Sequence, residues 1–280
     1  MKRLLALCII LLLLAACGQI VDAPTDPSST AMPSTIEAPT TEEEPSTTTQ
    51  PSIPIPRDAQ FTVTKHQLFP PKQVFDAEFE AFYKEFTAAV RRKDMQFIDG
   101  ILDDEIMSSF GGEPGKEYFH EFWGHRNERN DYYQRDLWDE LEAIIALGGV
   151  YYQENERYPG FGKCFVAPYT FTEFSYEDID GHDVSPIDYN VVIAKALPVY
   201  AEESTRSKVI DTLDYNVVVY HYDKNEILWE KGPDDFVSVK TLSGAVGYMQ
   251  WKYIRSPIDF RLCIEAKDGG WKMISLIAGD

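Results

Sequence analysis

Between the cysteine at position 17 and Phe61 the chain contains no aromatic residue. Pro, Ser, Thr and Glu dominate instead, as in Thr47-Thr48-Thr49 and Pro51-Ser52-Ile53-Pro54-Ile55-Pro56. A stretch so poor in large apolar side chains buries too little surface to offset the entropy of ordering it, so residues 17–60 are expected to form a disordered tether. Such a tether reaches roughly 35 Å as a flexible coil and on the order of 120 Å when fully extended. Any packed core must be built from residue 61 onward.

Ahead of the tether, Lys2 and Arg3 precede an apolar run from Leu4 to Leu14, and small residues follow at Ala15, Ala16 and Gly18. Positive end, apolar stretch and small-residue site are the layout of a secretory signal peptide, here residues 1–16. The run is too short to cross about 30 Å of hydrocarbon as a helix. Leu14-Ala15-Ala16-Cys17 resembles the lipobox of bacterial lipoproteins, in which the chain is cut before the cysteine and that cysteine is lipidated. The resemblance implies lipid attachment at Cys17 and a location on the extracytoplasmic face of the cell membrane. Acylation by more than one chain is what makes such an anchor stable.

The 280 residues carry 26 Lys+Arg and 46 Asp+Glu, a formal charge of -20. A surface of that sign gains nothing from counterion release on a polyanion, which argues against nucleic acid as a partner. Residues 58–189 hold 12 basic and 27 acidic side chains, whereas residues 190–257 hold 8 and 9. The near-neutral second part is therefore the one expected to approach an anionic wall or membrane surface.

Phe75, Phe79, Phe82, Phe86 and Val90 recur at steps of three and four, which predicts an amphipathic helix closing near Lys93. Shorter helices are expected at Met95–Leu102 and Glu117–Trp123, and another through Leu137, Leu141, Ile144 and Ile145 with Gly148-Gly149 as its cap. The period then changes. Val150–Gln153 and Cys164–Ala167 read as strands around a Tyr158-Pro159-Gly160 turn, and Phe260–Ala266 and Trp271–Ala278 as a terminal hairpin.

Helices followed by an antiparallel sheet that ends in a Gly-Gly-Trp-Lys-Met hairpin resemble the nuclear transport factor 2-like fold. The resemblance covers about 61–175 with 258–280 and implies an α+β domain of helices packed on a curved antiparallel sheet. Further along, Ser207-Lys208-Val209-Ile210, Gly244-Ala245-Val246-Gly247-Tyr248-Met249 and Tyr253-Ile254 resemble the bacterial SH3 (SH3b) pattern. That likeness implies a small SH3-like β-barrel over 188–257, with Tyr200, Phe236, Tyr248, Trp251 and Tyr253 as candidates for a ligand groove. Either the barrel is inserted in a helical domain of 61–187 completed by 258–280, or the last hairpin packs on the barrel.

Signals for chemistry are weak. His120 and His125 lie about 140° apart on a helix, so they do not form a His-Glu-x-x-His metal face. Gly111 to Lys116 lacks the first glycine and the final Ser/Thr of a phosphate loop. Asp178, Asp180 and Asp183 lack the acids an EF-hand needs at Tyr176 and Ile187. No catalytic residue, metal or cofactor is assigned. Cys164 and Cys263 are either a disulfide, permitted outside the membrane, or two buried thiols. The expected function is non-enzymatic: the anchored SH3b-like module binds a wall component such as peptidoglycan, or an envelope protein. The alternatives are a wall hydrolase using carboxylates of 61–186, or a small-molecule binder using a pocket in the helical cone with Trp123 and Tyr118 in its lining.

Overall fold

The computed structural model describes residues 59–128, 135–153, 162–175, 186–221 and 231–279. The signal segment, Cys17 and the tether as far as residue 58 lie outside the described residues, as do the Tyr158-Pro159-Gly160 turn and the acidic positions 178–183. The described part is a mixed α+β body with two sheets and five α-helices among the described residues.

The aromatic stripe forms helix α1 (Ala77–Arg92). Asp76 caps its start by accepting from the Phe79 amide, and Lys93 closes it in the left-handed region with φ 56°. Phe79, Phe86 and Val90 are buried, while Phe75 and Phe82 pack against the same core. Helix α2 (Met95–Ile101), capped by Asp94, runs directly into strand β2 (Leu102–Met107). Helices α3 (Lys116–Glu128) and α4 (Leu137–Leu147) follow, and a single turn, α5 (Tyr169–Thr172), comes after strands β3 (Val150–Tyr152) and β4 (Cys164–Ala167).

The terminal hairpin, β12 (Arg261–Lys267) and β13 (Gly270–Ile277), joins a five-stranded sheet of order β2-β13-β12-β4-β3. It is antiparallel except where β13 runs parallel to β2. Alternation sorts its two faces. Leu102, Ile106, Phe165, Ala167, Leu262, Ile264 and Met273 face the helices and share their core, where Phe79 and Trp271 meet at 4.6 Å between ring centroids.

The second sheet has eight strands in the order β11-β5-β8-β1-β9-β10-β6-β7. Seven come from β5 (Tyr189–Val192), β6 (Leu197–Tyr200), β7 (Val209–Leu213), β8 (Asn216–Tyr220), β9 (Phe236–Lys240), β10 (Val246–Gln250) and β11 (Ile254–Arg255). The eighth is β1 (Phe61–Gln67), antiparallel to β8 and parallel to β9. One expectation changes here: residues 61–67 pair into the sheet of 189–255 rather than with the helical body. The strand order ends at β11 and β7, and no closed barrel is found among the described residues. The physical reason is that β1 supplies Phe61 and Val63 to the second core and separates β8 from β9. Buried members of that core come from all eight strands, so among the described residues the sheet curls over its own inner face. Strands β5 and β8 also bury their outer face against Leu68, Tyr169 and Phe174. With both faces covered, Val217, Val218 and Val219 are buried at successive rather than alternate positions.

Candidate functional site

Two surfaces combine exposure with chemistry, one on each sheet. On the eight-stranded sheet, Tyr200 of β6 stands opposite Tyr248 of β10, which stands opposite Ser238 of β9. Residues directly opposite share a face, and so do residues two apart along one strand. Phe236 thus lies beside Tyr248, with its ring 6.0 Å from that of Tyr200 and edge-on to it. All three rings are half-buried. Val209, opposite Tyr200, is 48% exposed, and Val246 on β10 is 43% exposed, so the row continues as an apolar patch. The two valines were not named as groove candidates from sequence, although Val246 lies two residues before Tyr248 on the same strand.

Trp251 and Tyr253 go elsewhere. They occupy a 3-10 turn (Trp251–Tyr253) and pack against the inner core, with the Trp251 ring 6.2 Å from Phe61. The five groove candidates are thereby split into three on the outer face and two against the core. Gly247, between the outer residues Val246 and Tyr248, points inward, where a Cβ would lie 2.6 Å from Val199 Cγ1 and 2.7 Å from both Ile210 Cδ1 and the Tyr200 carbonyl oxygen.

On the face of the five-stranded sheet away from the main helical core lies a cavity of about 630 Å³. Its floor is built by the alternate residues that the helical core leaves out: Asp103, Glu105 and Met107 of β2, Ser275 and Ile277 of β13, and Arg261, Cys263, Glu265 and Lys267 of β12. Between Cys263 and Ile264 the register against β13 shifts by one residue, and Ile274 is the extra residue of this bulge. The bulge turns Ile274 and Ser275 to the same cavity. At one end the buried Arg261 guanidinium lies 4.7 Å from the Phe171 ring and 5.6 Å from the Phe110 ring, and donates to the Gly279 carbonyl. At the other end Lys267 donates to Asp103 at 2.6 Å. Burial raises the Asp103 carboxyl, but the Lys267 bond and the Glu105 amide outweigh it and the net direction is down. Glu265 accepts only the Gly162 amide, at 3.1 Å, and neither Glu105 nor Glu265 has an ion-pair partner among the described residues. Lys272, opposite Glu265 in register, is drawn to the Gly100 carbonyl at 2.9 Å.

This cavity is not the pocket expected in the helical cone. Trp123 is 1% exposed within the helical core, and the Tyr118 hydroxyl pairs with Ser109 Oγ at 2.8 Å.

Cys164 and Cys263 lie diagonally on neighbouring strands, since Cys263 opposes Val166 and Cys164 opposes Glu265. The structure holds them as two thiols, not a disulfide, sharing a hydrogen bond. That bond, with burial, pushes the Cys263 thiol far above the ordinary thiol range. His120 and His125 reach separate carboxylates, Asp99 at 3.1 Å and Glu121 at 3.8 Å. Lys116, at the end of the glycine loop, pairs with Asp104 at 2.8 Å and so has no free role at a phosphate. No cluster of three or more metal-ligating side chains occurs among the described residues, and no helix among them is long and apolar enough to cross a membrane. The chain matches no known protein-family model, no curated protein and no solved structure.

Proposed function

We propose that this chain is a lipid-anchored, non-enzymatic protein of the extracytoplasmic membrane face, whose SH3b-like strands dock a wall component such as peptidoglycan on their outer surface. The observation that carries this reading is the row formed by Tyr200, Tyr248 and Phe236, held half-buried on three adjacent strands and flanked by the exposed Val209 and Val246. Aromatic faces of this kind suit the stems and glycans of a polymer that is extended and only partly apolar. Near-neutral charge over 190–257 removes the repulsion that the acidic remainder would meet at an anionic wall. Lys240, on the same face as Val246, adds a cation there.

The test uses the mature chain with Cys17→Ser, incubated with purified wall sacculi. Retention that is lost in Tyr200→Ala/Tyr248→Ala, with an unchanged melting curve, supports the reading. No retention, or retention indifferent to the pair of substitutions, rejects it. Intact-mass analysis of membrane-derived material tests the anchor separately, since an unmodified thiol at Cys17 removes it.

A further inference from the structure

We propose that the cavity on the face of the five-stranded sheet away from the main helical core is a second binding site, taking an organic cation with an apolar body, an alkyl or aryl amine. Its size, about 630 Å³, is that of a small-molecule site rather than a packing defect. Met107, Val166, Ile274 and Ile277 give it apolar walls that no element among the described residues covers. Such walls select a ligand with an apolar body.

Charge selects the head group. Of the two cations in the lining, Lys267 is held by Asp103 at 2.6 Å, and Arg261 is held by the Gly279 carbonyl and two aromatic rings. The lining holds three carboxylates, Asp103, Glu105 and Glu265, against these two cations, so its net charge is negative. Lys272, the remaining cation on this face, is turned toward Gly100. Glu105 and Glu265 stand on β2 and β12 with β13 between them, about 10 Å apart at strand level, which places both within Coulomb range of one ammonium. The lining sets the orientation: ammonium toward Glu105 and Glu265, apolar body toward Phe110 and Phe171. The bulge contributes directly, because without the extra residue Ile274 and Ser275 would not both reach the ligand.

This site is independent of the outer aromatic row, and its test is separate from the wall assay. Isothermal titration of the soluble mature chain (Cys17→Ser) with decylammonium and with decanoate, both below their micellar concentrations, compares two heads on one tail. The expected result is saturable binding of decylammonium at least about tenfold tighter than decanoate. Glu265→Gln, which keeps an acceptor for the Gly162 amide, weakens the ammonium roughly threefold. Ser275→Phe fills the cavity from β13 and abolishes binding, and Met107→Trp does so from β2, which covers the case of one variant misfolding. Tyr200→Ala leaves the titration unchanged. Decanoate binding as tightly as the amine, no saturable binding of the amine, or full binding by a folded cavity-filling variant each overturns the proposal.

Discussion

Gly247 shows how a single atom governs the outer surface. The strand turns it inward between two outward residues, and its bare Cα lets β6 approach. Gly247→Ala is expected to destabilise the protein by about 1–3 kcal/mol, because the new methyl meets the Tyr200 backbone as well as two side chains; urea unfolding checks this. The thiol pair makes a second prediction at this scale. With the Cys263 thiol held in its protonated form by Cys164 and by burial, reduced folded protein resists maleimide at mildly alkaline pH, and both cysteines label at once in denaturant. Labelling followed by peptide mass mapping tells the two outcomes apart. At the residue level the sequence disclosed which aromatics to watch but not where they point. Tyr200, Tyr248 and Phe236 separate from Trp251 and Tyr253 only through strand register and one 3-10 turn, which is set by pairing with distant strands. The cavity was missed for a related reason. Its lining alternates with core residues along β12 and mixes charged with apolar types, a pattern that reads from sequence as an ordinary solvated face.

Helices were the more legible elements. The spacing of Phe75 to Val90 and the Gly148 end are local signals, and α1 and α4 form where they point. Strand β1 carried no comparable signal, since Phe61 and Val63 alternate for two positions before Lys65, and its partners on β8 lie more than 150 residues away. The cap of α1 makes a pH prediction. The Lys163 ammonium first, then the Phe79 amide and the Tyr151 hydroxyl, hold the Asp76 carboxyl far below its ordinary 3.8. A depressed carboxyl stabilises the fold above the unfolded value and loses that contribution as the pH falls toward the folded one. Wild type should therefore exceed Asp76→Asn in stability at neutral pH, with the gap narrowing below 3.8. Between the two sheets, Arg255 of β11 donates to Glu140 of α4 at 2.8 Å and to the Phe260 carbonyl at 2.8 Å, with both side chains almost fully buried. Glu140→Met leaves the buried Arg255 with only Asp259 at 3.5 Å, and Arg255→Met leaves Glu140 with only Arg135 at 3.4 Å, so each should cost about 3 kcal/mol, and Glu140→Met/Arg255→Met less than the sum of the two. Chemical unfolding of the four proteins closes that cycle.

At the scale of the whole molecule, the α+β class was readable from helical period giving way to strand period, while the place of β1 in the second sheet was not. A fragment of residues 188–257 is expected to remain unfolded by circular dichroism, because it lacks Phe61 and Val63 from the middle of its core. Adding residues 59–68 as a separate peptide should restore strand signal if the missing β1 is the cause. The position of β1 also has a mechanical consequence. Tension entering the body from the N-terminal side is received at the centre of a sheet, by a strand bonded on both flanks, rather than at a peelable margin. Detaching it requires its ladders to β8 and β9 to shear together, so a pull on this end loads the middle of the sheet first.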